Sequence, residues 1–265
     1  MNSDAIALIA FLSFALLFSL FWGRVTRLSA TSSRMMALVR LIMRFSTSNS
    51  ELIRAYVIWF AYLFTGLIGS AVLLAFFRVN ILLFLQFKPE FLAYVVLGLI
   101  AQTALASLIL LIVGAINPRL NWYAIVMSTP WVRVFPLLPR GARVAYPLSG
   151  AFVEELFFRG AIFLILVLQF PWVDGWAAIL ISTLLFVVQQ SLNTNSWRQS
   201  FMMSVGAAAI SVVGCLLFLL TDSFLPPLVC HELYVIFYFG QGKSSANAMP
   251  KAGSTFFDRE RGAAF

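Results

Sequence analysis

Two adjacent glutamates and an arginine lie inside a long apolar stretch of this sequence. Glu154, Glu155 and Arg159 fall within residues 148–170, a run otherwise largely apolar and just long enough to cross a bilayer as a helix. Each ionised side chain in such a helix costs roughly 2.5–3.5 kcal/mol on insertion scales. Glu155 and Arg159 are four residues apart with the acid first, which favours an ion pair on one helix face. Glu154 has no partner nearby in the sequence, and an unpaired intramembrane carboxylate is by default a functional-site hypothesis.

The residues around these charges also resemble a known family. The sequence Glu-Glu-x-x-Phe-Arg-Gly, from Glu154 to Gly160, is similar to the first motif of the CAAX prenyl endopeptidase and bacteriocin-processing family. Glu-Glu-x-x-x-Arg alone is common, but it is rare within a membrane helix. The resemblance covers residues 148–240, and no motif match precedes it. It implies an intramembrane endopeptidase that acts on prenylated or hydrophobic peptides at the cytoplasmic face.

Two later motifs of that family are altered here. The second motif, Phe-x-x-x-His, would place Gln190 at its histidine, and the third, His-x-x-x-Asn, would begin at His231 and place Val235 at its asparagine. In active relatives, the first glutamate and the second-motif histidine activate water, and the third-motif residues stabilise the oxyanion. The resemblance therefore implies that Glu154 keeps the position of the base and His231 keeps one oxyanion position. Glutamine cannot take a proton at neutral pH, and valine offers no donor.

The predicted site consists of five side chains, and each also has a purely structural interpretation. The five are Glu154, Glu155, Arg159, Gln190 and His231. A pair such as Glu155 and Arg159 is more often structural than catalytic, and a lone histidine in a helix usually packs. Glutamines can simply bridge membrane helices, at about 0.6 kcal/mol per hydrogen bond. We predict no cofactor and no metal site.

Composition places the chain among membrane proteins. It has 265 residues, of which 62% are hydrophobic and 11% charged, whereas a soluble domain is about half apolar and one quarter charged. The mean hydropathy is +0.94, which is typical of a polytopic membrane protein. The net charge of +8 then indicates cytoplasmic loops and anionic lipid headgroups rather than nucleic acid. The expected partners are membrane lipids, a prenylated or hydrophobic peptide, or other subunits of a membrane complex.

We predict an all-α polytopic membrane protein with about seven transmembrane helices plus interfacial helices. An amphipathic surface helix is expected within the arginine-rich residues 24–54, and an interfacial or re-entrant piece at 79–91. Residues 1–147 would form an N-terminal transmembrane and interfacial region, 148–240 the protease-like helical core, and 241–265 a disordered cytoplasmic tail. The predicted spans are 5–22, 52–77, 92–116, 148–170, 175–192, 201–220 and 225–240.

Charge asymmetry gives the expected orientation. Lysines and arginines concentrate in segments 24–54 and 117–147 and in the tail, so the positive-inside rule predicts an N-terminus outside and a C-terminus in the cytoplasm. In this topology Glu154 lies about 9 Å along its span from residue 148, from a rise of 1.5 Å per residue. Gln190 and His231 lie in the same half of the membrane. We therefore expect Glu154, Gln190 and His231 to share one cytoplasm-facing cavity.

Three functions remain open from the sequence. The first is an endopeptidase that depends on Glu154. The second is a catalytically degenerate relative that serves as a binding, immunity or assembly subunit of a membrane complex, which Gln190 and Val235 favour. The third is a transporter in which Glu154 relays protons, although transporters usually show paired half-repeats with broken helices and none is visible here.

The orientation can be tested by cysteine labelling. Ser128 is small, polar and inside the basic connection 117–147, so Ser128→Cys should react with an impermeant thiol reagent only from the cytoplasmic side. Cys215 and Cys230 are replaced first, so that Ser128→Cys supplies the only thiol. Labelling from the outer side would reverse the predicted orientation.

Overall fold

The protein is helical in every regular element that the structure describes. The computed structural model describes residues 3–43, 50–118, 120–135 and 138–240, and in these ranges it contains no strand, which confirms the predicted all-α fold. The predicted tail at 241–265 lies outside the described residues. The elements are α1 (Ser3–Thr31), α2 (Ser33–Met43), α3 (Ser50–Phe76), a 3₁₀ helix (Ile81–Phe84), α4 (Phe91–Ile116), α5 (Trp122–Met127), α6 (Arg140–Glu155), a π-helix (Leu156–Phe163), α7 (Leu164–Gln169), α8 (Gly175–Leu192), α9 (Trp197–Thr221) and α10 (Leu225–Gly240).

Five of these helices are long and apolar enough to cross a membrane, so the chain is a multi-pass integral membrane protein. Two other predicted spans have a different form. The stretch with the two glutamates is divided among α6, the π-helix and α7, and the last is a shorter apolar helix at Leu225–Phe237. A complete crossing by these two stays a prediction. The five are Ser3–Val25, Ser50–Phe76, Phe91–Ile116, Gly175–Leu192 and Trp197–Thr221.

The helix that carries the two glutamates differs from the prediction in its start and its winding. It begins at Arg140 rather than at residue 148, and it continues through Pro147. Proline removes one backbone donor and often ends a helix, but this helix does not end there. Glu154 therefore lies about 21 Å along the helix from Arg140, from the same rise per residue. After Glu155 the backbone widens into the π-helix, a form that is rare and often found at functional sites.

The N-terminal arginine-rich segment also differs from the prediction. α1 continues to Thr31, past the predicted end of the first span at residue 22, and α3 begins at Ser50. The helix expected within residues 24–54 corresponds to α2, and its position on the cytoplasmic surface stays a prediction. Residues 44–49 lie outside the described part. No proline or glycine follows Gly23 within α1, so the helix has no reason to end where the apolar run ends.

An aromatic cluster around the π-helix forms the centre of the packing. Residues 157–166 are all buried, and the π-helix packs against α3, α8 and α9. Trp22 of α1 is fully buried, with its ring stacked on Phe158 at 5.9 Å between centroids. Its indole Nε1 donates to the backbone oxygen of Tyr62 at 2.9 Å. Trp22 therefore fixes α1 to the π-helix and to α3 at the same depth.

The segment between α3 and α4 lies against the turn between α9 and α10. The amide of Phe224 donates to the carbonyl of Phe84 at 2.7 Å, and the hydroxyl of Ser223 donates to the carbonyl of Gln86 at 2.7 Å. The side chains of Leu82 and Phe87 are exposed. Contact of this segment with the membrane interface stays a prediction.

The close approach of α1, α3 and α6 can be tested at Gly66. A Cβ atom there would lie 2.3 Å from Cγ1 of Val153 and 2.4 Å from Cζ2 of Trp22. Gly66→Ala should therefore destabilise the protein by about 1–3 kcal/mol through overpacking, seen as a lower thermal midpoint in mild detergent. Gly141→Ala is the matched control, because a Cβ at that helical glycine meets nothing within 4 Å. Equal midpoints for Gly66→Ala and the wild type would contradict this packing.

Candidate active site

The structure brings all five predicted site residues together. Glu154 and Glu155 end α6, Arg159 lies in the π-helix, Gln190 is near the end of α8 and His231 is in α10. Glu155 and Arg159 are completely buried, and the most exposed of the five, Glu154, keeps only 9% of its surface accessible. Such burial requires each charge to obtain partners from the protein.

Glu154 obtains its partners from three other helices. Its Oε1 accepts hydrogen bonds from the Tyr62 hydroxyl and from Nε2 of Gln190, the latter at 2.7 Å. Its Oε2 lies 3.7 Å from Nε2 of His231. Glu154 has no partner among its neighbours in sequence, and all of these partners come from other helices. Both hydrogen bonds end at one oxygen, so the other oxygen faces the histidine.

Glu155 lies between an arginine and the same histidine. Its Oε1 is 3.3 Å from Nη1 of Arg159 and 2.8 Å from Nδ1 of His231. The predicted ion pair is therefore present, but it is not a hydrogen bond, and the guanidinium nitrogens donate to no described group. The guanidinium carbon lies 4.8 Å from the ring centroid of Phe186, a cation–π distance.

His231 connects the two glutamates through its two ring nitrogens. Nδ1 lies 2.8 Å from Oε1 of Glu155, and Nε2 lies 3.7 Å from Oε2 of Glu154. A protonated imidazole donates at both nitrogens, and a neutral one donates at one and accepts at the other. The arrangement can therefore hold a proton between the glutamates or offer one to a group in the gap at Nε2.

Two residues of the site were not predicted as functional. Tyr62 of α3 donates to Glu154, and its oxygen accepts from Nε2 of Gln189 at 2.8 Å. The sequence shows Tyr62 only as a phenol within an apolar run, and nothing local distinguishes it from Tyr56 of the same helix. The bond from Gln189 to Tyr62 bridges α8 and α3, the structural role that glutamines can have in membrane helices.

Polar residues of the site line an apolar cavity. The cavity has a volume of about 1100 Å³, including the open space at its mouth. Glu154, Gln190 and His231 line it, together with Val235. A Cβ built on the cavity-lining Gly206 would meet nothing within 4 Å. The apolar walls include Ala106, Leu110, Met202, Met203, Val205 and Ile210.

The described residues offer no group of three or more histidine, cysteine, aspartate or glutamate side chains placed to hold a metal ion. The chemistry that this site can perform with its own groups is acid–base chemistry by carboxylates and one imidazole.

The buried pair can be tested by substitution. Arg159→Ala would leave Glu155 without its arginine, and breaking a buried pair costs about 3–5 kcal/mol. We expect loss of folded protein in mild detergent, measured by size-exclusion chromatography. Glu155→Gln with Arg159→Met removes both charges and should recover much of the folded protein, because the glutamine oxygen can still accept from His231. A single Arg159→Ala variant as stable as the wild type would contradict a buried ion pair.

Comparison with known proteins matches the segment of the chain that contains these five residues. Residues 136–237 match the family model described as type II CAAX prenyl endopeptidase Rce1-like. No curated protein and no solved structure matches the chain. The matched segment starts earlier than the predicted residue 148 and includes all five predicted site residues, but not Tyr62. The resemblance expected from the sequence is thereby confirmed: residues 136–237 of this multi-pass membrane protein match the Rce1-like family of type II CAAX prenyl endopeptidases.

Proposed function

We propose that this protein is an intramembrane endopeptidase that uses Glu154 to cleave prenylated or hydrophobic peptides. The observation that supports this function best is the pair of atoms Oε2 of Glu154 and Nε2 of His231, which lie 3.7 Å apart at the wall of an apolar cavity. A carboxylate and an imidazole that face the same small space can together hold a water molecule and a substrate carbonyl.

The proposed chemical step uses Glu154 as the general base. Oε2 takes a proton from water while the water oxygen attacks the carbonyl carbon of the scissile bond. The tetrahedral intermediate then collapses, the carbon–nitrogen bond breaks, and Glu154 returns the proton to the leaving amine. The Oε1 atom cannot serve as well, because it already accepts from Tyr62 and Gln190.

His231 is suited to stabilise the oxyanion in this step. With Nδ1–H donated to Glu155 at 2.8 Å, the imidazolium form presents Nε2–H to the cavity. Glu155 holds the ring and balances its charge, while Arg159 balances the charge of Glu155 from the other side. A donor fixed before the reaction is more effective than one that must reorient during it.

The cavity supports the proposed class of substrate. Ligand pockets are lined mainly by apolar side chains with a few polar groups that orient the ligand, and this cavity combines apolar walls with Glu154, Gln190 and His231. A peptide with a lipid or other apolar end could place that end against α4 and α9, with its backbone at Glu154. With the predicted N-out, C-in orientation, the site would be reached from the cytoplasmic face.

A second candidate function is favoured by two residues of the same cavity. Where active relatives have the second-motif histidine, Gln190 donates to Glu154, and Val235 contributes no donor. Losing one oxyanion donor costs about 10²–10³ in rate, and losing an acid–base partner a further factor of roughly 10²–10⁴. The alternative is therefore a catalytically degenerate relative that binds a lipidated or apolar segment as an immunity or assembly subunit.

Restoring the two family residues separates these functions. If the cavity is intact but water activation is poor, Gln190→His with Val235→Asn should raise cleavage of a prenylated peptide at least tenfold, about 1.4 kcal/mol of barrier. Glu154→Ala should abolish the gain. The readout is peptide cleavage by purified protein in lipid, with all variants matched for folding by thermal unfolding.

The wild type decides between the two candidates in the same assay. Efficient cleavage that Glu154→Ala stops would establish the endopeptidase and exclude the degenerate alternative. If neither the wild type nor the restored variant cleaves, the proposed hydrolysis is wrong and the cavity serves binding alone.

A further inference from the structure

The site extends beyond the segment that matches the family. Tyr62 lies on α3, far from residues 136–237 in the sequence, yet its hydroxyl donates directly to Oε1 of Glu154. The phenol oxygen accepts from Nε2 of Gln189 at 2.8 Å. Because a phenol carries one hydrogen, a hydroxyl that accepts from Gln189 has that hydrogen free for Glu154. Gln189 thus donates to Tyr62, and Tyr62 donates to Glu154, so both hydrogen bonds of this chain point toward the carboxylate.

This chain selects which carboxylate oxygen faces the histidine. Oε1 accepts from Tyr62 and from Gln190, which approach on α3 and α8. Two donors on one oxygen fix the rotation of the carboxylate about its last bond, and Oε2 is left 3.7 Å from Nε2 of His231. Without the phenol, only the Gln190 donor would hold that rotation.

Tyr62 is itself held by contacts that do not involve its hydroxyl. Its ring lies 4.9 Å from that of Trp22 between centroids, and its backbone oxygen accepts from the Trp22 indole at 2.9 Å. Trp22 is fully buried between α3 and the π-helix. The position of the phenol is therefore set by packing, and the hydroxyl is a fixed donor at its end.

We infer that Tyr62 is a positioning residue of the active site: its hydroxyl holds Oε1 of Glu154 so that Oε2 is directed at the space beside His231. This inference rests on the proposed endopeptidase function. It assigns a catalytic contribution to the N-terminal half of the chain, which the family match does not cover.

Tyr62→Phe tests this inference with little disturbance of the fold. The change removes one hydroxyl and keeps the ring against Trp22, and the Trp22 hydrogen bond ends at a backbone oxygen that the substitution does not alter. Tyr94→Phe is the matched control. Tyr94 is a tyrosine of α4 that packs beside Val95, and it does not line the cavity.

The first measurement is cleavage of a prenylated peptide by purified protein in lipid. Tyr62→Phe should lower kcat by roughly 10–100-fold, the effect of losing one hydrogen bond to a charged group. The KM should stay within about twofold, because the phenol orients the base rather than the substrate. Tyr94→Phe should keep both constants. If the wild type cleaves through Glu154 and Tyr62→Phe has an unchanged kcat, the inference is overturned while the proposed function stands.

The second measurement does not depend on activity. The infrared carboxyl band of Glu154 is identified in the lipid-embedded protein as the band lost in Glu154→Gln. Tyr62→Phe should shift this band, since the frequency responds to hydrogen bonds on the carboxyl oxygens, and Tyr94→Phe should not. An unshifted band in Tyr62→Phe means that the phenol does not hold Glu154, and it overturns the inference even in an inactive chain.

The two measurements separate failure of the inference from failure of the proposed function. A shifted band together with a lowered kcat supports the positioning role. If Tyr62→Phe shifts the band but the wild type cleaves nothing, the contact exists but the proposed hydrolysis is wrong. The catalytic role of Tyr62 is then overturned together with it.

Discussion

The burial of two neighbouring carboxylates controls the arrangement of helices in this protein. Adjacent residues of a helix point about 100° apart, so Glu154 and Glu155 cannot share one donor on their own helix, although both reach His231 of α10. Arg159 serves Glu155 alone. Glu154 must be satisfied from outside, and α3 and α8 supply its donors through Tyr62 and Gln190. An unsatisfied buried charge would cost several kcal/mol, so these helices are held at a fixed rotation and depth.

The aromatic packing makes that arrangement rigid. Trp22 is stacked on Phe158, which lies one residue before Arg159, and the guanidinium of Arg159 lies over the ring of Phe186. The ring of Phe186 in turn meets that of His231 at 6.1 Å between centroids. The cation is thus held among rings rather than by a dense set of hydrogen bonds. In such a buried environment of low local dielectric, the attraction between Arg159 and Glu155 is stronger than it would be in water.

The sequence predicted the parts of this structure that depend on local composition. The spans at 92–116 and 175–192 nearly coincide with α4 and α8, because apolar runs between polar turns define them. The convergence of Glu154, Gln190 and His231 also followed from depth, since all three were predicted in the same half of the membrane. The site residues were predictable to the extent that their types are rare in membrane helices.

The remaining parts depend on which side of a helix faces which neighbour. Tyr62 acts through a contact across 92 positions of sequence, and the rotation of α3 that creates it is set by Trp22 and by the lack of a side chain at Gly66. The start of α6 at Arg140 was missed because the predicted span was drawn from the apolar run 148–170, whereas the helix extends back through Pro147 into the preceding basic residues. Neither the Tyr62–Glu154 contact nor the start of α6 can be recognised from a short stretch of the sequence alone.

Replacing the second-motif histidine by Gln190 changes how the proposed chemistry must be divided. The amide of Gln190 helps to orient Glu154 but cannot exchange a proton. His231 is then the one imidazole that can respond to proton transfer at Glu154 while it also faces the oxyanion. Its second nitrogen is committed to Glu155 at 2.8 Å, which keeps the ring in place for both tasks. Active relatives divide the acid–base and oxyanion functions among several side chains. In this protein Glu154 and His231 alone would have to perform both functions.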